Sequence, residues 1–540
     1  MGDRVPAPPV QVTVHSIEKL LINWVGKSTL MGILGTRGDV PSLHMSYLKK
    51  QFAPWIGAAC LILTWALAGA VFNPSQLNDS WEQLVWAQHL EWGYWKHPPL
   101  TTWLMALPQH VWGPSAVWPY VLGGLCGVMT LVFTGLLASR VMPPAAVMWV
   151  ALLFTLNNGF TRRAQVFNHN SVLVMLVAAL AWRLVVALQT RRIMDWGWVG
   201  LCAGLALLTK YQAMLPVLCM GLVVVLTLIK PKWFESTTGA SSLTPPRLQP
   251  VLAGLMVALA VTVLVLAPHV HWLWQHDGQT LKYADRSMDA STGSAWRDAA
   301  GLFVLQLRNW IPALVVLLLL ALIQKKSPED QPSGELTPGH PLIWGLVWLP
   351  SLALLMMAML GIQLQSHWGM QTLQFVVLLL ALGCARRWGA PTAKAWWLWA
   401  VLQGVGLVML VLQMTGKIER HQADLRKISS KDIAGQVMSH WQAHCNQPLM
   451  SFEAPNHVVG MLLAHGAKPM LLIDADDPVH AQPMLNARQP DQHVLRLRMQ
   501  AQAPDADWQL LWSPQQDWPQ FKLWAAWLKP TGVTGYTCTH

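Results

Sequence analysis

The sequence predicts a polytopic α-helical membrane protein that ends in a small α/β domain. Of its 540 residues, 53% are hydrophobic and only 12% are charged, whereas an ordinary soluble domain is about 25% charged. The apolar residues fall in long runs, and a bilayer core requires about 20 apolar residues per helix. The runs stop at about residue 416, where a mixed polar pattern begins.

Apolar runs of nearly membrane-spanning length predict about eleven transmembrane helices within residues 45–415. Two of the runs are short for a membrane span. The runs are 53–72, 115–138, 143–160, 170–190, 195–210, 212–229, 248–271, 302–324, 342–362, 368–385 and 395–415.

Residues 1–44 are polar and irregular, unlike everything that follows. Met45 opens a basic flank directly before the first apolar run, which favours Met45 as the true start of translation. The alternative is a disordered cytoplasmic extension. A cleaved signal peptide is not expected, because the first run is long and lacks a small-residue cleavage site.

Basic residues in alternate loops predict the orientation of the chain, because such loops face the cytoplasm. They are Lys49, Lys50, Arg140, Arg191, Arg192, Lys230, Lys232, Arg247, Lys325, Lys326, Arg386, Arg387 and Lys394. The N-terminus is then inside, and loops 73–114, 157–169, 272–301 and 363–367 are outside. An odd number of spans also puts the tail outside. Topology thus accounts for the net charge of +11, and no nucleic-acid partner is expected.

The tail, residues 416–540, alternates helix and strand patterns as a small α/β domain does. Residues 431–448 predict an amphipathic helix, and the segments PLMSFEA, KPMLLID and DQHVLRLRM predict strands. Cys445 and Cys538 can pair there if the compartment is oxidising. The other five cysteines fall in or beside apolar runs and are expected to be inert packing residues.

Several cations lie in loops predicted to be outside, against the positive-inside bias. They are Lys96, Arg162, Arg163, Lys282, Arg286 and Arg297, with Lys210 at the outer end of a span. A phosphate at the lipid surface would explain them, since ammonium and guanidinium groups are its natural partners. Ordinary solvated loop charge is the alternative. Lys96 and Arg163 are favoured, because each adjoins other polar residues in a compact loop.

The first outer loop also carries two acids, Asp79 and Glu82, three residues apart. They share one face if the segment is helical, and the apolar residues that follow suggest a helix lying along the membrane interface. Such an acid takes a proton from an attacking hydroxyl or amine, or holds a divalent cation. The alternative is helix capping, since DSWE fits a capping pattern.

Further polar residues in the outer loops are weaker candidates. His97 precedes two prolines, which hold the chain extended and would aim the histidine at a fixed place. Asn168 and Asn170 follow the second-loop arginines and either bind sugar hydroxyls or cap the next helix. His367 and Trp368 lie in the shortest outer loop, where the indole either stacks on a sugar or anchors the helix at the interface.

The string D-x-x-E-x-x-x-W-x-Q-x-x-x-W-G-Y-x-K-H-P-P-L, residues 79–100, resembles the first periplasmic loop of bacterial family 39 glycosyltransferases. These enzymes form part of the polytopic C-type class, with protein O-mannosyltransferases and the lipid A aminoarabinose transferase. The stretch at 204–218 is similar to another family segment, and residues 434–477 resemble the periplasmic domain of one bacterial branch. The resemblance covers roughly residues 46–480.

The resemblance implies a C-type fold and an inverting, nucleotide-free transfer on the periplasmic face of the inner membrane. The donor would be a polyprenyl-phosphate sugar, undecaprenyl-linked in a bacterium, and the partners would be membrane lipids and a lipid, glycan or protein acceptor. No Walker, Rossmann, GxSxG or HExxH motif argues for other chemistry. The resemblance implies that Asp79 matches an acid that activates the acceptor. It also implies that Lys96 matches a basic residue near the donor phosphate.

The chain departs from the family pattern at two places. Many members have an acidic pair where this chain has Asp79 followed by Ser80, so that Glu82 becomes the second acid. Many also have an aspartate in the second outer loop, where this chain has Asn168 to Asn170. If that aspartate helps to hold a divalent cation, the cation is in doubt here.

We therefore expect Asp79 and Glu82 to be catalytic, and Lys96, His97, Arg163 and Lys210 to bind the donor phosphate. The substrate-binding residues are expected to be Asn168, Asn170, His367 and Trp368. Two rivals stay open, a lipid-linked glycan transporter or flippase and a non-catalytic scaffold. A transporter predicts functional charges within the spans, where Arg183 is the one candidate.

Overall fold

A computed structural model describes residues 45–229, 248–288, 294–324, 341–415, 424–445 and 451–528, with short gaps at 468, 470, 478–480, 482–483, 485–492 and 515–517. The predicted extension at 1–44 and Cys538 therefore lie outside the described residues. Cys445 forms a disulfide, and the five other cysteines among the described residues are free.

Eighteen α-helices and five strands make up the described residues. The helices are α1 Met45–Phe72, α2 Asn78–Trp86, α3 Leu100–Trp112, α4 Trp118–Val141, α5 Pro144–Leu156, α6 Asn158–Thr161, α7 His169–Thr190, α8 Ile193–Leu207, α9 Met214–Ile229, α10 Leu248–Gln275, α11 Gln279–Met288, α12 Ala295–Ile323, α13 Pro341–Met359, α14 Gly369–Thr372, α15 Val376–Trp388, α16 Ala393–Met414, α17 Ser430–His444 and α18 Asn456–Ala464. The strands are β1 Ser451–Ala454, β2 Leu471–Asp474, β3 Val494–Met499, β4 Gln509–Trp512 and β5 Leu523–Leu528.

Eight described helices are long and apolar enough to cross a membrane, which confirms a multi-pass helical protein. Every predicted apolar run has a helix, but α5 and α8 are short, and α14 and α15 belong to a pair bent by 59°. The total of eleven spans thus stays a prediction. Helix α5 ends early because Asn157 caps α6, accepting a hydrogen bond from Gly159 N at 2.7 Å.

Helix α7 is the centre of the membrane part and packs between α4 and α8. It is the most buried of the eight long helices. Arg183, near its far end, pairs with Asp195 at the start of α8, Nη2 to Oδ1 3.3 Å. The long side chain carries its charge toward the helix end, and so the one intramembrane charge noted in the sequence has a structural partner.

The tail is a small α/β domain, as predicted. Its sheet has the order β2-β1-β3-β5-β4. Strand β1 runs parallel to both β2 and β3, whereas β5 is antiparallel to β3 and β4. Helix α17 and the first three strands fall where the sequence pattern predicts them.

Helix α2 packs against the tail domain and not against lipid. Its residues Trp81, Leu84, Val85 and Trp86 share one hydrophobic core with α17, α18 and the sheet. A side-chain carbon at Gly460 would lie 3.0 Å from the Trp81 side chain, so α18 and α2 are in close contact. The apolar residues of α2 are covered by protein, and the position of this helix at the membrane interface stays a prediction.

Candidate functional site

Helix α2 presents the two acids of the first outer loop in different surroundings. Asp79 is exposed in the first turn, and its Oδ2 accepts a hydrogen bond from Asn168 Nδ2 at 3.0 Å. Glu82, one turn later, is only 2% exposed. The cap residue is Leu77, without a side-chain hydrogen bond. Helix capping therefore does not explain Asp79, which remains available to a ligand.

Glu82 forms a buried ion pair with Lys96, whose Nζ lies 2.8 Å from Glu82 Oε2. Burial raises the pKa of Glu82 to about 7, and the attraction of Lys96 offsets this only in part. Burial also acts to lower the pKa of Lys96, but Glu82 outweighs it and the net direction is upward. The ammonium also lies 5.6 Å from the centre of the Tyr283 ring.

Glu82 should make the protein less stable as pH rises. An acid whose folded pKa is raised binds its proton more tightly when folded, so stability is full below the unfolded value of 4.5 and falls up to about pH 7. We expect Glu82→Gln to flatten that part of the profile. The unfolding temperature of the purified protein, measured between pH 4.5 and 8 for both proteins, checks this. Parallel profiles would contradict the raised pKa.

Asn168, in the second outer loop, both caps a helix and binds Asp79. Asn168 caps α7, because its Oδ1 accepts from Asn170 N at 3.0 Å and Ser171 N at 3.2 Å. Its Nδ2 also holds the Asp79 carboxylate. Helix capping and a role at the site, alternatives in the sequence, thus coexist in one side chain.

Lys210 joins three separate parts of the chain. Its Nζ donates to Asn170 Oδ1 at 3.3 Å and lies 3.3 Å from His367 Nε2. Burial lowers the pKa of Lys210 to about 8, Asp79 raises it, and Lys96 and Arg163 lower it further. Burial likewise lowers the pKa of Arg163, and Asp79 raises it. The cations therefore lie close enough to Asp79 and to one another for their charges to interact.

His97 lies beside His169, with ring centres 3.9 Å apart and ring planes tilted by 47°. Burial lowers the pKa of His97 well below its ordinary value, and His169 and Lys210 lower it further. Its surroundings thus favour the neutral form of the imidazole. It does not add a positive charge for a phosphate, which the sequence alone could not show.

Some predicted residues lie elsewhere. Trp368 is buried in a small apolar cluster with Leu302 and neighbouring residues, and so its ring packs against protein. The outer-loop cations Lys282, Arg286 and Arg297 are exposed. Solvated loop charge accounts for these three.

The structure adds residues that the sequence did not single out. Tyr283, on α11, faces both Lys96 and His97, with a ring-centre distance of 5.7 Å to the latter. Asp474 ends β2 in the tail domain, and burial raises its pKa to about 8, with a contribution from Glu82. In the sequence, only the acids that end a predicted strand, as in LLIDADD, could have indicated a role for Asp474.

The residues present do not fit a divalent-cation site. Within the part of the chain that the structure describes, no group of three or more His, Cys, Asp or Glu side chains is placed to hold a metal ion. Asn168, in the segment Asn168 to Asn170 where the resemblance implies an aspartate, is engaged in capping and with Asp79. We therefore propose no reaction step that uses a metal ion.

Comparison with known proteins agrees with this picture. Residues 96–272 match the family described as dolichyl-phosphate-mannose-protein mannosyltransferase. The lipid A galacturonosyltransferase RgtD of Rhizobium johnstonii is 26% identical over 207 residues, which are 38% of this chain and 40% of that protein. The match thus spans less than half of the relative's length.

Solved structures are similar over larger parts of the chain. ArnT from Cupriavidus metallidurans bound to undecaprenyl phosphate covers 88% of this chain and 98% of its own, with 13% identity and a TM-score of 0.45. The S. cerevisiae Pmt1-Pmt2 complex bound to the sugar donor covers 46% and 35%, with 15% identity and a TM-score of 0.32. The family match confirms the predicted resemblance to polytopic glycosyltransferases over residues 96–272, which lie within the stretch 46–480 that the sequence indicated.

Proposed function

We propose that this protein transfers a sugar from a polyprenyl-phosphate donor to a lipid, glycan or protein acceptor at the outer face of the inner membrane. One observation carries the proposal. Asp79 and Lys96 of the first outer loop, Arg163 of the second and Lys210 before α9 lie close enough for their charges to interact. The names of RgtD, a lipid A galacturonosyltransferase, and of ArnT bound to undecaprenyl phosphate support this substrate class.

The cations stabilise the phosphate that leaves in the reaction. As the bond between the anomeric carbon and the phosphate oxygen breaks, its electron pair passes to that oxygen. Arg163 and Lys210, which are both partly buried, stabilise the growing negative charge, and fixed charges act more strongly where water is partly excluded. A bound phosphate would in turn favour the protonated form of Lys210.

The acceptor is activated from the other side by Asp79. Its carboxylate takes the proton of the attacking hydroxyl or amine, while the new bond forms at the anomeric carbon opposite the leaving phosphate. Asn168 orients that carboxylate through the 3.0 Å hydrogen bond. Attack from the opposite face inverts the anomeric centre.

Glu82 has a different role from the catalytic one that the sequence suggested. Its carboxylate is buried and bound to Lys96, so it does not reach an acceptor. We assign Glu82 as a positioning residue that fixes the Lys96 ammonium and, through the shared core of α2, the geometry of the first outer loop. His97 contributes neutral hydrogen bonds at the same place.

The orientation follows the basic loops, with the N-terminus in the cytoplasm and the tail domain, residues 416–540, in the periplasm. The transmembrane domain then comprises residues 45–415. Helix α2 belongs to the first outer loop and packs on the tail domain, which supports placing both on the same side. Arg183, the charge within a span that a transporter would use, is engaged with Asp195.

Mass spectrometry of the cell envelope tests the transfer. We expect lipid A or another envelope glycan from cells that carry the gene to be heavier by one sugar residue than the same molecule from cells without it. Complementation with the wild-type gene should restore the heavier species. Identical spectra from the two strains, with the protein present in the membrane of one, would contradict the activity.

A further inference from the structure

Two buried glutamines beside the proposed site have side-chain amide atoms without hydrogen-bond partners among the described residues. Gln371, on α14, is 0% exposed, and neither its Nε2 nor its Oε1 has a hydrogen-bond partner among the described residues. Gln374 is 4% exposed, and its Oε1 also lacks one within those ranges. Proteins seldom bury unpaired amides, so each such group requires an explanation.

The glutamines lie where a membrane helix is broken. The short helix before Leu373 and helix α15 meet at 59°, and Gln374 Nε2 donates to the main-chain oxygen of Gln371 at 3.3 Å inside the break. Irregular backbone at membrane depth is tolerated where it is covered by protein or lines a polar cavity. Polar side chains at such breaks are a common way of binding a ligand.

The same segment reaches the proposed phosphate site. His367, whose Nε2 lies 3.3 Å from Lys210 Nζ, precedes Gln371 by four residues, a distance of about 6 Å along a helix. Helix α14 contacts α7, which begins at the site, and α12. From α12, Gln306 packs directly on Gly369, and its Nε2 also has no partner within the described ranges.

We propose that Gln371, with Gln374 and Gln306, forms a subsite for the uncharged, hydroxyl-bearing sugar of the donor. An amide offers one donor group and one acceptor group, which matches hydroxyls that both donate and accept. The amides themselves carry no charge, whereas the phosphate is matched by Lys210 and Arg163 nearby. The sugar would thus lie next to its own phosphate. This inference rests on the proposed function.

The test compares the prenyl lipids that copurify with the wild-type protein and with three variants. Gln371→Met keeps the side-chain length and removes the amide. The matched control is Gln403→Met, because Gln403 is also buried but fully engaged: its Oε1 accepts from Trp65 Nε1 at 3.0 Å and its Nε2 donates to Thr155 O at 2.7 Å. Mass spectrometry then gives the ratio of sugar-bearing to sugar-free undecaprenyl phosphate on each protein.

We expect that ratio to fall about tenfold in Gln371→Met, which corresponds to about 1.4 kcal/mol, and to stay at the wild-type value in Gln403→Met. The unfolding temperature should hold or rise in Gln371→Met and fall in Gln403→Met, because only the second variant breaks hydrogen bonds. Gln306→Met should repeat the change in ratio.

An unchanged ratio in both Gln371→Met and Gln306→Met would show that the amides bind only water and would overturn the subsite. Wild-type protein that carries sugar-free undecaprenyl phosphate alone would overturn it as well. If wild-type protein carries neither lipid, the proposed function itself fails, and the subsite fails with it.

Discussion

Transfer should fall by a factor of about 10² to 10⁴ in Asp79→Asn, the range that general-base catalysis contributes. The substitution keeps the shape of the side chain and an oxygen that accepts the hydrogen bond from Asn168, but an amide does not take up the acceptor's proton. Because Asp79 is exposed, the amount of protein in the membrane should stay the same. The measurement is the rate of sugar transfer in membranes that contain equal amounts of each protein.

Asp432→Asn is the matched control. Asp432 is likewise an exposed aspartate in the first turn of a helix, here α17 in the tail domain. Transfer should be unchanged in this variant. Full activity in Asp79→Asn would show that the carboxylate is not the base, and equal losses in both variants would point to a general effect on the fold.

Lys96→Met should weaken both the fold and the reaction. Removing one partner of a buried ion pair typically costs about 3–5 kcal/mol, because the other charge is left unpaired. The loss should be smaller at pH 5 than at pH 8, since the pKa of Glu82 is raised to about 7 and the acid is protonated at the lower pH. Chemical unfolding at the two pH values, together with transfer assays, measures the two effects.

The double variant Glu82→Gln with Lys96→Met separates the effect on stability from the effect on transfer. It removes both charges, so stability should return toward the wild-type value, while transfer stays low because the cation is missing. As a control, Arg183→Met breaks a partly buried ion pair at the far end of α7, and should lower stability without a specific loss of transfer. Recovery of transfer in the double variant would reduce Lys96 to a structural residue.

Local patterns predicted most of the fold. Long apolar runs located every span helix, because the bilayer imposes both length and composition, and alternating residues located β1, β2 and β3. The break before α15 was missed, because the run 368–385 was interpreted as one span although Gln371, Thr372 and Gln374 interrupt its apolar residues. The docking of α2 on the tail domain was also missed, because an apolar helix face packs equally well against lipid or protein.

The sequence singled out those candidate site residues whose positive charge is unusual on the outer side of the membrane. Lys96, Arg163 and Lys210 stood out as cations on the wrong side of the membrane, and the structure brings them around Asp79. Gln371 and Asp474 were missed, because glutamine and aspartate carry no such bias and their importance comes from burial and from contacts distant in sequence. The neutral state of His97 likewise depends on neighbours that only the fold supplies.

A structure of the protein with undecaprenyl phosphate tests the central claim most directly. The account predicts the phosphate oxygens within about 3.2 Å of nitrogen atoms of Lys210 and Arg163, beside Asp79, with the prenyl chain leading into the bilayer. A phosphate bound at the opposite end of the helices, or one that contacts none of these cations, would contradict it.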